Sequence, residues 1–131
     1  MRRAISVVLL WAISAPAQAW SPIGGGNPHW AEAAPYSLHM AGSDDLGGYD
    51  ATLPIVRQGF DDWGRVECSA LRTDFQGPTT GVPFSSGSNV VGWIERSWID
   101  DPNAIGITGP SWGSGGRISD AQMAMNGVDF T

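Results

Sequence analysis

Beyond its first nineteen residues, this chain carries apolar side chains at a clear helical spacing in one place only. Whatever sheet the rest forms therefore has a single helix to cover it. Leu53, Val56, Phe60 and Trp63 stand at offsets of three, seven and ten, which makes one continuous stripe. Asp50 is placed to cap this helix, Pro54 is tolerable in its first turn, and Gly64 ends it. Gly59 inside the helix costs about 1 kcal/mol relative to alanine, which points to close packing there.

The segments on either side read as strands. Tyr36, Leu38 and Met40 alternate with Ser37 and His39, and Leu71, Thr73 and Phe75 alternate with Arg72 and Asp74. Residues 90–94 are apolar on both faces apart from Gly92, as an interior strand requires. Residues 104–108 make a brief strand between Pro102 and Pro110, and Ile118 to Met125 makes another before Asn126-Gly127 turns the chain. Residues 20–30 read as an irregular arm, and 42–48, 77–88 and 109–116 as loops. This order predicts an α/β fold: a twisted, mixed sheet of four to five strands with one long crossover helix. One helix would leave the other face of the sheet bare, so the domain reads as cut in the middle and its apolar surface as prone to aggregate.

The first nineteen residues have a different character. Arg2 and Arg3 precede an apolar run from Ala4 to Ile13, followed by the small-residue exit Ala17-Gln18-Ala19. This is the layout of a secretory signal peptide, and the run is too short to span about 30 Å of hydrocarbon. The expectation is a signal peptide over 1–19 and a single domain over 20–131, secreted to the periplasm or the exterior, with no stable membrane insertion. Cleavage removes two of seven basic residues and none of thirteen acidic ones, which leaves a charge of −8 with no lysine. Such a chain repels phosphate backbones, so nucleic acid is not expected as a partner. Cys68 is the sole cysteine. It reads as a thiol whose partner is external or in a missing piece of chain, or else as a buried, inert side chain.

No complete active site can be assembled from the residues. The glycine clusters at 24–26 and 113–116 lack the lysine of a phosphate loop and read as turns. Asp44-Asp45, Asp61-Asp62 and Asp100-Asp101 are adjacent acids, not a pair facing across a sugar, and read as solvated. His29 and His39, on an arm and a strand, do not make a zinc ligand set or a catalytic triad. No catalytic residue and no metal ligand is assigned.

Taken in order, however, the segments from Trp30 to Asn126 resemble the front half of a matrixin-type zinc metalloprotease domain, a metzincin, of the exported bacterial kind. The resemblance rests on Trp30 with Pro35-Tyr36-Ser37-Leu38-His39, and on the helical stripe ending in Phe60-x-x-Trp63. It continues through Cys68 to Phe75, Asn89 to Trp93, Ala104 to Thr108 and Gly116 to Asn126. It implies an incomplete metzincin-like N-terminal subdomain, truncated before the helix whose H-E-x-x-H motif supplies zinc ligands and general base. That motif is absent from this sequence. The implied protein is a secreted zinc-dependent metalloendopeptidase acting on peptide or protein substrates, represented here by a fragment inactive alone. Ala104, Ile105, Gly106 and Ile107 match the family's edge strand, which binds substrate main chain; an ordinary edge strand is the plainer alternative. Zinc is implied for the whole enzyme, with ligands outside this chain.

Two departures limit what carries over. Residues 96–103 contain no histidine, so the structural zinc of animal matrixins is not expected. The last strand has Asp120-Ala121-Gln122 where the family has two aspartates, and Gln122 weakens calcium binding. Two rival readings are a small secreted tryptophan-rich module that binds carbohydrate or a surface partner, and a degenerate paralogue that kept the fold and lost the metal. The leader generates its own test. N-terminal sequencing of exported protein is expected to begin at Trp20, and cytoplasmic material retaining Met1 would end the export reading.

Overall fold

The computed structural model describes residues 27–130. Five strands and one helix follow the expected order: β1 (Ala34–His39), α1 (Tyr49–Arg65), β2 (Thr73–Thr79), β3 (Val90–Ile94), β4 (Gly106–Trp112) and β5 (Ile118–Asn126). They form one mixed α/β sheet in the spatial order β2-β1-β3-β5-β4. β1 runs parallel to β2 and β3, and β3 parallel to β5, while β4 is antiparallel to β5 at the edge. No helix among the described residues is long and apolar enough to cross a membrane. The expected signal peptide, its expected cleavage site and the glycines at 24–26 lie outside the described residues.

β1 and β3 lie inside the sheet, and they supply most of the core. Tyr36, Leu38 and Val91 are buried together, with Tyr49, Leu53, Val56 and Phe60 of α1 packed against them from one face. The rings of Tyr36 and Phe60 stand 4.3 Å apart at 39°, and Phe75 lies 5.2 Å from Tyr36 on the other side. Alternation places Val91 and Trp93 beside Met123 and Met125 on this same face, through the pairings Val91–Met123 and Trp93–Met125.

The start of α1 differs from the expectation. Gly48, not Asp50, is the N-cap, and no side chain caps it; Asp50 falls in the first turn, where its charge favours the helix dipole. Pro54 lies inside the helix, in the second turn rather than the first. The turn before the helix is secured instead by Thr52, which is fully buried. Its hydroxyl donates to the Gly48 carbonyl at 2.7 Å and accepts from the Ser43 N–H at 2.9 Å.

Boundaries of three strands also move. Met40 lies beyond β1 and is exposed. β2 continues through Gly77, Pro78 and Thr79, residues expected in a loop, because β2 is a sheet edge where a proline's missing donor faces away from the ladder. β4 begins two residues later than expected and runs on through Pro110 to Trp112, again as an edge.

The opposite face of the sheet is not bare. The connection from β2 to β3 crosses it, and the sheet has flat places where this loop approaches. A Cβ on Gly92 would stand 3.0 Å from Pro83 Cγ, and one on Gly109 would stand 2.6 Å from Phe84 Cε1. The uncovered apolar surface lies on the helix side instead. Trp63, the last residue of the helical stripe, is 68 % exposed, and Ile55 is exposed beside it. With Trp93, Met123 and Met125 they line an open groove of about 330 Å³.

The Thr52 hydroxyl is the most sharply testable element of this fold. Replacing it by the isosteric valine leaves the nearly fully buried Ser43 N–H without an acceptor, which costs about 1–3 kcal/mol. Thr52→Val is expected to lower the denaturation midpoint with an unchanged slope, and Thr52→Ser to recover most of the loss.

Candidate functional site

The sheet has two edges that offer unpaired main chain, β2 and β4, and the outer edge of β4 is the antiparallel one. The Asn126 N–H donates to the Ile105 carbonyl at 2.8 Å, and Ile107, Gly109 and Ser111 lie across from Ala124, Gln122 and Asp120. In an antiparallel ladder, alternate residues turn both main-chain groups toward the partner and those between turn them away. The residues turned toward β5 are therefore Ile105, Ile107, Gly109 and Ser111. Gly106, Thr108 and Pro110 are turned outward. Pro110 has no N–H to donate, so its place in the outward set costs the β4–β5 ladder nothing.

This geometry separates the four residues expected to bind substrate. Gly106 presents an N–H and a carbonyl to the edge. Ile107 directs its own to β5. Ile105, though its side chain is 62 % exposed, has its carbonyl taken by Asn126. Ala104 lies before the strand, with its N–H on the Asp101 carbonyl at 2.9 Å and its own carbonyl accepting from Asn126 Nδ2 at 3.1 Å. Thr108, which the sequence reading placed at the end of the strand and left out of the site, belongs to the outward set.

Polar side chains of β5 hold the surroundings in place. Asn126 is buried; besides Ala104 it donates to Asp129 Oδ2 at 3.0 Å, and its Oδ1 accepts from the Val128 and Asp129 N–H groups. Gln122 donates to the Gly87 carbonyl at 2.8 Å and accepts from the Phe84 N–H. Asp120 accepts from the Ser88 hydroxyl at 3.0 Å, from the Asn89 N–H and from Gln122 Nε2. Gln122 and Asp120 fasten residues 84–89 to the sheet, while Asn126 holds the approach to β4 and the turn after β5. Sequence reasoning weighed Asp120 and Gln122 as calcium ligands and passed over Asn126. The available signal was the alternation itself, which puts Asp120, Gln122 and Asn126 on one face of an otherwise apolar strand.

The implied zinc ligands lie outside this chain, so the residues present bear only on calcium. Among the described residues, no three His, Cys, Asp or Glu side chains gather as a metal site. His29 Nδ1 bonds the Asn27 carbonyl, and His39 Nδ1 accepts from the Ala41 N–H at 3.3 Å. The Asp120 carboxylate is already met by protein donors, an arrangement that suits an anion without a cation. Of the acid pairs, Asp62 bonds Arg65 at 2.9 Å on the surface, Asp44 donates its N–H to Glu95, and Asp101 turns its own loop. Cys68 is exposed, which overturns the buried-thiol reading.

No family model, curated protein or solved structure matches the chain. The site therefore rests on its geometry.

Asp120 gives the site a pH dependence. Burial pushes its carboxyl up, but hydrogen bonds from Gln122, Asn89 and Ser88 outweigh that and hold it below the usual carboxylate value. The Ala121 N–H adds a weaker effect, its own bond going to Asn89 Oδ1 at 2.9 Å. A depressed carboxyl stabilises the fold above the unfolded-state value near 3.8 and loses that contribution as pH falls through the folded-state value. Acidification below that value is expected to lower the protection of the amides in residues 84–89, each exchange rate being taken relative to its intrinsic rate at the same pH, and Asp120→Asn to remove most of the pH dependence of that protection.

Proposed function

We propose that this chain is the substrate-binding front half of an exported zinc-dependent metalloendopeptidase of the matrixin type. In this reading an extended peptide is laid along β4. The observation that carries the proposal is the outward main chain of Gly106 and Thr108 on an antiparallel edge strand. An extended peptide meets such an edge by β-augmentation, with hydrogen bonds that read main chain and tolerate many sequences. The ordered resemblance from Trp30 to Asn126 supports the same reading, as does a sheet whose other strand pairs are all parallel.

No step of hydrolysis is assigned to a residue of this chain. The zinc ligands and the base belong to an H-E-x-x-H helix that this sequence does not contain. What these residues contribute is binding and alignment: Gly106 and Thr108 fix the peptide's register, and Pro110 ends the run of available donors.

A second reading has one observation in its favour. Trp63 and Trp93 flank an open apolar groove, a surface on which a sugar or an apolar partner could stack. In that reading the chain is a secreted binding module without catalysis.

Zinc content and cleavage separate the two. The 131-residue chain is expected to hold zinc no better than an unrelated protein and to cut nothing. A longer product of the same reading frame that includes H-E-x-x-H is expected to hold one zinc and to cut an unfolded protein in a chelator-sensitive way. In that product Thr108→Pro removes an outward donor without touching the β4–β5 ladder, whereas proline at Ile107 would break the ladder itself. One main-chain bond contributes about 1 kcal/mol, so kcat/KM is expected to fall about fivefold with zinc content unchanged. A longer product without zinc or cleavage would remove the protease reading. A stop codon directly after Thr131 would favour the binding module.

A further inference from the structure

The 80–89 loop places an aromatic ring beside the same edge. Phe84 holds φ at 58°, a left-handed backbone that bulky side chains rarely adopt. Phe84 is the third residue of a turn closed by the Ser85 N–H on the Val82 carbonyl at 3.2 Å, its N–H is bound by the Gln122 amide on β5, and its ring reaches over Gly109 of β4. Gly109 and Gln122 are paired across the ladder, so the residue is anchored above β5 and points its ring toward the open edge. The ring lies where a side chain of residue 109 would otherwise stand, and Phe84 remains 41 % exposed. An apolar ring held in a strained conformation at the surface has no evident part in the core, and strain of this kind collects at binding sites.

We propose that Phe84 determines the specificity of the β4 edge. It selects an apolar side chain, aliphatic or aromatic, on the guest residue that lies across from Gly109. This rests on the reading of β4 as a peptide-binding edge. A guest strand bonded to the outward residues Gly106, Thr108 and Pro110 meets Gly109 as a non-hydrogen-bonded pair when it runs antiparallel. In such a pair the Cα atoms approach to about 4.5 Å and the side chains are closest. Residues directly across from one another share a face, so the guest's side chain is directed to the loop face, where Gly109 offers no side chain and Phe84 offers its ring. Guest residues to either side project to the helix face and do not meet Phe84.

The test is selection of peptides from a library of extended, proline-free ten-residue sequences by the full chain. The original protein is expected to show one position with a strong apolar preference, and Thr108→Pro to capture the same peptides about fivefold less tightly. Phe84→Ala is expected to reduce the apolar preference at that position about tenfold while retaining capture through the main chain. Phe84→Leu, which keeps the loop's apolar contact, should preserve the preference, and Phe84→Lys should turn it toward acidic residues. If capture remains sensitive to Thr108→Pro but the preference is the same in all three Phe84 variants, the role of Phe84 is overturned and the edge reading stands. If no peptide is captured, or Thr108→Pro captures as well as the original, both fall together.

Discussion

The structure depends on a rule of handedness. Parallel strands joined by a crossover take a right-handed path, because twisted strands and the segment between them pack well only that way. Here β1 leads outward to β2 at the sheet edge, and the chain then returns across β1 to form β3 on its other side. The two crossovers travel in opposite directions, so keeping one hand requires them to lie on opposite faces. The first crossover is α1, packed over Tyr36, Leu38 and Val91. The second is the loop that brings Pro83 to Gly92 and Phe84 to Gly109. A chain with one helix thereby covers both sides of its sheet, at least over the middle.

Coverage is uneven for a reason of size. A helix is about 10 Å across and strands lie about 4.8 Å apart, so one helix shields about two strands of a five-stranded sheet. α1 sits over the β1 side, supported by the tilted stack of Tyr36, Phe60 and Phe75. Beyond it, Trp93, Met123 and Met125 continue the apolar face of the sheet with Trp63 and Ile55 at the margin. The stripe on the helix is thus only partly a core stripe: Leu53, Val56 and Phe60 pack inward, and Trp63 borders an open groove.

On the loop side the sheet is held by polar groups. Asp120, Gln122 and Asn126 project from one face of β5 and between them bind the 84–89 backbone, the approach to β4 and the turn after β5. A loop has unpaired main chain that must find partners, and side-chain amides and carboxylates supply them where no second strand is available. The edge strand is therefore fixed by its ladder with β5, by Asn126 at its start and by the Gln122-anchored loop above its middle. An exposed edge with that much support presents its outward groups in one geometry.

The sequence by itself determined the kinds of elements and their order. Leu53, Val56 and Phe60 could share a buried face only on a helix, and the alternation around Tyr36 and Leu38 only on a strand, because those periods are properties of the backbone. The all-apolar run at Val90 and Val91 likewise required an interior position, which β3 occupies. Which prolines could remain in strands was decided by tertiary structure. Pro78 and Pro110 read as loop residues until β2 and β4 prove to be edges, where a missing donor faces away from the ladder. The candidate site divides in the same way. That residues near 104–108 enter a strand was legible, but which of them face outward was not. That phase is set by pairing with β5, and it assigns Gly106 and Thr108 to the edge while turning Ile107 inward. The meeting of Phe84 with Gly109 was also beyond the sequence, since 25 residues separate them and only the second crossover's path across the sheet brings them into contact.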